Sequence, residues 1–196
     1  MRAFSGLILA GGRGARFGGP KAFARLPDGR TFLESCAGSL QEAGADPVLA
    51  TLPLGVQGPE PKGIISHAVD PSLDMFSSLR QGLYKLVESR LWQHVIILPV
   101  DHPLVEPETF QHLASSPHPA AIATFRGHHG HPVLLHRSIV LKILDDSLSG
   151  PTLREILKRT EAVDVEVDDP QTRSNCNTPG ALEEAWRLKR KGRNPA

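Results

Sequence analysis

The chain has 196 residues, 40% of them hydrophobic and 22% charged, with a formal net charge of +1. That length and balance suit one globular domain with its own core and exclude a disordered chain. The near-neutral charge excludes a broad nucleic-acid footprint.

The elements follow in chain order. Leu7–Ala10 reads as a buried strand that ends in glycines. Thr31–Ala43 reads as a helix closed by Gly44. Val48–Leu52 and Gly63–Ala68 are the next strands. Phe76–Ser89 carries Leu79, Leu83, Leu86 and Val87 at helical spacing. His94–Val100 is the most apolar strand, and Glu106–Ala114 follows as a helix with Pro107 in its first turn. Ala120–Phe125 and Pro132–Leu135 read as strands around a Gly/His turn. Ser138–Leu144 and Pro151–Arg159 are short helices, Val163–Val167 a late strand and Pro179–Lys191 a final helix.

This alternation predicts a three-layer α/β/α sandwich around a mostly parallel sheet. One domain is expected over residues 1–190, followed by a basic, solvated end at 191–196. Cys36 and Cys176 lie far apart and outside any CxxC pattern, so they are read as reduced thiols and not as a disulfide or zinc scaffold. The apolar start, Met1 to Leu9, is too short for a signal peptide and breaks at Gly11-Gly12. No run approaches the ~20 apolar residues of a membrane span. A cytoplasmic protein with no membrane or nucleic-acid partner, monomeric or weakly dimeric, is expected.

Open α/β sheets bind ligands beyond the carboxyl ends of their strands. The first strand is followed by Leu9-Ala10-Gly11-Gly12-Arg13-Gly14-Ala15-Arg16-Phe17-Gly18-Gly19-Pro20-Lys21. Glycines let backbone N–H groups approach a phosphate closely, and Arg16 and Lys21 add charge. A dinucleotide GxGxxG is excluded because Phe17 stands where the third glycine belongs. A Walker A loop is excluded because Ala22, not Ser or Thr, follows Lys21. The plain alternative is a glycine-rich surface turn.

This stretch, L-A-G-G-x-G-x-R-F-G-x-x-K, resembles the signature of the MobA/MocA-like nucleotidyltransferases, which attach GMP or CMP to molybdopterin. The resemblance implies a Rossmann-like sheet of the nucleotide-diphospho-sugar transferase type. It also implies that Leu9, Ala10, Gly11, Gly12 and Gly14 wrap the nucleotide while Arg16 and Lys21 bind and activate the triphosphate.

Asp101, in Pro99-Val100-Asp101-His102-Pro103, ends the most apolar strand. By spacing alone it is equally a magnesium ligand or a helix-capping residue. The resemblance implies the first, with Asp101 as a catalytic residue holding Mg²⁺, and leaves His102 a loop residue. Asn175-Cys176-Asn177-Thr178-Pro179 is a good helix start. The family has N-x-N-T-P here in its guanylyl branch, implying Asn177 as a second metal ligand and Asn175 on the acceptor side.

Leu73 to Gly82 resembles a segment of the cytidylyl branch that lies against the nucleotide, implying contacts from Ser77, Ser78 and Arg80. Asp74 and Phe76 depart from that pattern. Gly130-His131-Pro132-Val133 matches the same branch near the acceptor, which implies an acceptor-side role for His131. His128 and His129 are read as solvated loop residues.

The expected activity is transfer of a nucleoside monophosphate from CTP, or alternatively GTP, to molybdopterin, releasing pyrophosphate. A molybdoenzyme is a possible recipient of the product. Cys176 is not expected to act as a nucleophile. Alternatives are a sugar- or polyol-phosphate nucleotidyltransferase, a non-catalytic nucleotide or cofactor chaperone, and a degenerate phosphate-binding domain.

Overall fold

The structure, a computed structural model, describes residues 3–193 apart from Arg13, Ala15, Arg16, Arg90 and Leu91. Seven strands form one mixed sheet: β1 Phe4–Leu9, β2 Val48–Pro53, β3 Ile64–Val69, β4 His94–Pro99, β5 Ala120–Phe125, β6 His128–His136 and β7 Val163–Glu166. Six helices flank it: α1 Phe32–Glu42, α2 Met75–Val87, α3 Pro107–Ala114, α4 Arg137–Leu144, α5 Leu153–Arg159 and α6 Pro179–Arg193. The sheet order is β3-β2-β1-β4-β6-β5-β7. β3, β2, β1 and β4 pair in parallel, β6 runs antiparallel between β4 and β5, and β7 is parallel to β5.

Strand alternation sends successive side chains to opposite faces. Phe4, Ile8, Ile96 and Leu98 join one core with Phe32, Leu33 and Leu40 of α1, Phe110 of α3 and Leu182 of α6. Leu7, Leu9, Val95 and Ile97 join the other with Leu79, Leu83 and Leu86 of α2, Ile139 of α4 and Ile156 of α5. β1 and β4 are buried on both faces, which explains their unbroken apolar runs.

The helices start where the caps dictate. Thr31 Oγ1 accepts the Glu34 N–H at 3.1 Å while the Thr31 N–H donates to Glu34 Oε2 at 2.6 Å, a reciprocal capping box. Asp74 caps α2, accepting the Ser77 N–H at 2.8 Å, so α2 begins one residue before the expected start. Among the described residues no helix is long and apolar enough to cross a membrane.

One expectation is corrected. The hairpin between β5 and β6 turns at Arg126 and Gly127, both with positive φ (53° and 71°), and not through the histidines. Such a two-residue turn matches the twist of the strands. His128 and His129 are therefore exposed strand residues paired with Phe125 and Thr124, and β6 is longer than the expected Pro132–Leu135.

Removing the Thr31 cap strands an N–H at the start of α1. Thr31→Ala is expected to lower the unfolding free energy by about 1 kcal/mol in urea denaturation. Hydrogen bonds from the Thr31 backbone and side chain hold the Glu34 carboxyl below its ordinary value of 4.5. A depressed carboxyl stabilises the fold above its unfolded value and loses that effect as pH falls through the folded value. The stability gap between the native protein and Glu34→Ala is accordingly expected at pH 7 and should shrink toward pH 3.

Candidate active site

β1 lies at the centre of the parallel half. The chain winds outward from it to β3 and returns on its other side as β4, so the sheet's order reverses between β1 and β4. The crevice at such a reversal is where ligands bind. A cleft of about 250 Å³ opens there, lined by Leu9, Ala10, Gly11, Gly12, Gly14, Lys21, Leu73, Met75, Ser78, Pro99, Val100 and Asp101.

The glycine loop is shaped by contacts that only glycine permits. Gly14 has φ +62°, and a Cβ there would sit 1.9 Å from the Gly19 carbonyl oxygen. A Cβ on Gly11 would sit 2.4 Å from Val69 Cγ2. The loop folds back on itself through the Phe17 N–H, which donates to the Gly14 carbonyl at 2.8 Å. Lys21 then opens a short helical turn, Lys21–Phe23, and its ammonium returns to the cleft.

That ammonium meets Asp101 Oδ2 at 3.0 Å and also donates to Asn177 Oδ1. The three residues come from three distant parts of the chain. Backbone bonds fix the meeting. The Val100 N–H donates to the Leu9 carbonyl at 3.1 Å, and the His102 N–H donates to the Pro99 carbonyl at 3.1 Å. The Cys176 N–H donates to the Asp101 carbonyl at 2.7 Å, which sets Asn177 beside the Asp101 side chain. From α1, Ser35 Oγ donates to the Pro103 carbonyl at 2.6 Å. At its far end α6 holds the same loop, with Lys189 Nζ 2.8 Å from Glu106 Oε1 and 3.0 Å from the Leu104 carbonyl.

Two oxygens, Asp101 Oδ2 and Asn177 Oδ1, thus converge on one cation, the ammonium of Lys21. Asp101 Oδ1 is buried without a hydrogen-bond partner among the described residues. Carboxylate and amide oxygens are the donors that hard divalent cations prefer, so the residues fit such an ion. Among the described residues no group of three or more His, Cys, Asp or Glu side chains could hold a metal alone. Any ion here would complete its shell with phosphate oxygens or water.

The remaining expected residues divide. Ser78 lines the cleft; Ser77 does not, because its hydroxyl donates to Asp74 at 2.7 Å in the α2 cap. Arg80 is not brought to the cleft either. Its guanidinium pairs with Asp146 and donates to the Leu144 carbonyl at 3.3 Å, on the face where α4 packs. Arg16 lies outside the described residues. Asn175 is exposed beside the site. His131 packs edge-on to His102, ring centroids 5.0 Å apart, next to Asp101. Burial pushes the His131 imidazole down to about 4, with His102 adding to the shift and Asp101 opposing it. Burial likewise lowers His102, against the pull of Asp101. Burial, reinforced by Asp101, pushes the Cys176 thiol up to about 12, which keeps it an inert thiol.

Sequence reasoning missed Leu73 and Met75 as cleft walls and His102 as a buried neighbour of Asp101. Leu73 lies within the stretch Leu73 to Gly82, but nothing in its spacing marks its side chain as facing the glycine loop.

A family model described as a MobA-like NTP transferase domain matches residues 6–164. The chain belongs to that family. The MobA-like assignment is accompanied by two curated relatives, each named a probable molybdenum cofactor guanylyltransferase. One, from Mycobacterium avium (strain 104), is 24% identical over 184 residues, 91% of this chain and 92% of that one. The other, from Geobacillus sp. (strain WCH70), is 28% identical over 114 residues, and the match spans 58% of each chain. The crystal structure of Rv0371c from Mycobacterium tuberculosis H37Rv superposes with a TM-score of 0.76 at 18% identity, covering 95% of this chain and 98% of that one. A complex of the same mycobacterial protein with manganese gives a TM-score of 0.73 at 18% identity, covering 94% and 98%. The two structural likenesses show a shared fold over 95% and 94% of this chain.

The geometry separates residues that the cleft uses from those it does not. Gly11→Ala drives a methyl into Val69 and is expected to weaken nucleotide binding by about tenfold or more in calorimetric titration. Arg80→Ala, away from the cleft, is expected to leave that affinity within about twofold.

Proposed function

We propose that this MobA-like protein transfers GMP from GTP to the phosphate of molybdopterin and releases pyrophosphate. The observation that carries the reading is the convergence of Lys21, Asp101 and Asn177 at the open end of a glycine-walled cleft. An acceptor phosphate oxygen attacks the α-phosphorus; a new P–O–P bond forms as the α–β bridge breaks, and the electron pair leaves on pyrophosphate. No protein nucleophile is required, in keeping with the protonated Cys176 thiol.

The glycine loop contributes backbone N–H groups along the triphosphate, an anion nest with low cost of approach. Lys21 contributes a mobile positive charge where negative charge accumulates in transfer. Asp101 and Asn177 are the residues that would hold Mg²⁺, which when bound offsets phosphate charge and the departing pyrophosphate. Asp101 also keeps the Lys21 ammonium in the cleft. In this reading His131, packed against His102, and the exposed Asn175 serve the acceptor.

The choice of base rests on two observations. The cytidylyl reading rests on Ser77, Ser78 and Arg80, of which only Ser78 lines the cleft, and on Gly130-His131-Pro132-Val133, whose His131 packs behind Asp101 against His102. The guanylyl reading draws on Asn175-Cys176-Asn177-Thr178-Pro179, whose Asn177 meets Lys21 beside Asp101, and agrees with the names of the curated relatives described above. GTP is therefore placed ahead of CTP.

Pyrophosphate release measured with CTP, GTP, UTP and ATP, with Mg²⁺, with and without molybdopterin, tests this. Release from GTP only in the presence of molybdopterin is expected. Release from CTP alone reverses the base assignment, and release only with a sugar or polyol phosphate reverses the acceptor. Nucleotide binding without any release makes the protein a binder. Lys21→Ala and Asp101→Ala are each expected to lower kcat/KM by about 100-fold or more; full turnover in both variants refutes the mechanism.

A further inference from the structure

The two oxygens of Asp101 have unequal surroundings. Oδ2 is engaged by Lys21 at 3.0 Å. Oδ1 is buried and has no hydrogen-bond partner among the described residues; His102 Nε2 stands 3.9 Å from it. His102 is itself only 5% exposed; the Gln171 backbone is a weak hydrogen-bonding neighbour of its imidazole, and Nδ1 has no partner within hydrogen-bond distance among the described residues. The His131 ring closes on it edge-on, centroids 5.0 Å apart at 61°, and His131 Nδ1 is a third such atom.

Buried polar atoms nearly always have partners, so three in one corner call for an explanation. Packing alone does not supply it. The neighbours Pro103, Leu104 and Val105 are buried, and an apolar side chain at 102 would fill the same corner without desolvating an imidazole. The two histidines are brought together by the register of β4 against β6, where Ile97 faces Val133. Ligating carboxylates are commonly aimed by a donor behind them, and such donors influence metal affinity nearly as much as the ligands do.

We propose that His102 is a positioning residue for Asp101. Its Nε2 faces Oδ1 at 3.9 Å, beyond hydrogen-bond distance, and steadies the carboxylate by this dipolar contact, while the His131 ring packs against the imidazole, so that the carboxylate faces the cation. The proposal rests on the reading of Asp101 as a divalent-cation ligand. It assigns His102 a role toward the ion without direct coordination.

The test is a titration of the full chain, with GTP present, by Mn²⁺ followed as free ion by electron paramagnetic resonance. His102→Leu is expected to weaken Mn²⁺ binding by about tenfold. His102→Gln, which restores an N–H donor, is expected to recover most of that loss. GTP affinity measured without metal should not change in either variant. Mn²⁺ affinity within twofold of the native protein in His102→Leu overturns the proposal, as does equal weakening by Leu and Gln. Should His102→Leu fail to fold, His131→Leu takes its place: weaker Mn²⁺ binding at unchanged metal-free GTP affinity supports the proposal, and unchanged Mn²⁺ binding overturns it. Asp101→Asn separates the two levels: if it binds Mn²⁺ like the native protein, the cation site itself is misassigned and the role of His102 falls with it.

Discussion

A single backbone hydrogen bond, from the Cys176 N–H to the Asp101 carbonyl at 2.7 Å, joins the two halves of the site. Asp101 is placed by the sheet, because it follows the most buried strand at the point where strand order reverses. Asn177 is not placed by the strand that ends before Asp101: the turn at Pro170–Arg173 ahead of it packs on β5 and β6, and Asp169 accepts the Glu106 N–H at 3.0 Å. Asn177 reaches the cleft because the extended segment before α6 pairs with the Asp101 backbone. Without that bond, the amide and the carboxylate have no reason to face one another, and the Lys21 ammonium has one partner instead of two.

The surrounding structure reinforces this junction. Ser35 from α1 and Lys189 from α6 both hold carbonyls of the segment just beyond Asp101. The Asp101–Lys21 pair is mostly shielded from water, with side chains 17% and 20% exposed. Burial at this depth makes an unpartnered charge costly, so the pair is strong only while its geometry is held. The rigidity of the 100–106 segment is therefore part of the electrostatics of the site and not a separate matter of packing.

Much of this was legible from sequence, for identifiable reasons. The apolar runs of β1 and β4 and the glycine loop are local signals, and periodicity and punctuation report such signals well. Among the described residues the strands and α-helices agree in type with those expected, whereas the short 3-10 turns at Lys21–Phe23 and Pro170–Arg173 were not foreseen; α2 starts one residue early, where the Asp74 cap decides it, and β6 four residues early. The turn in the β5–β6 hairpin was misread because His128 and His129 look like loop residues until their pairing partners are known. Arg80 was assigned to the nucleotide by likeness, but its partner, Asp146, lies 66 positions away on another element. The burial of His102 depends on the antiparallel placement of β6, which single-sequence periodicity does not encode.

The anchoring of α6 on the loop around Asp101, through Cys176 just before its start and Lys189 near its end, has a consequence for how the protein matures. During synthesis, the glycine loop, Lys21 and Asp101 leave the ribosome well before Asn177 and Lys189. A nascent chain can complete all seven described strands while the carboxylate still lacks its amide neighbour and its outer clamp. The junction of Asp101 with Asn177 is then completed only when α6 has emerged, so the two sides of the cleft are joined late.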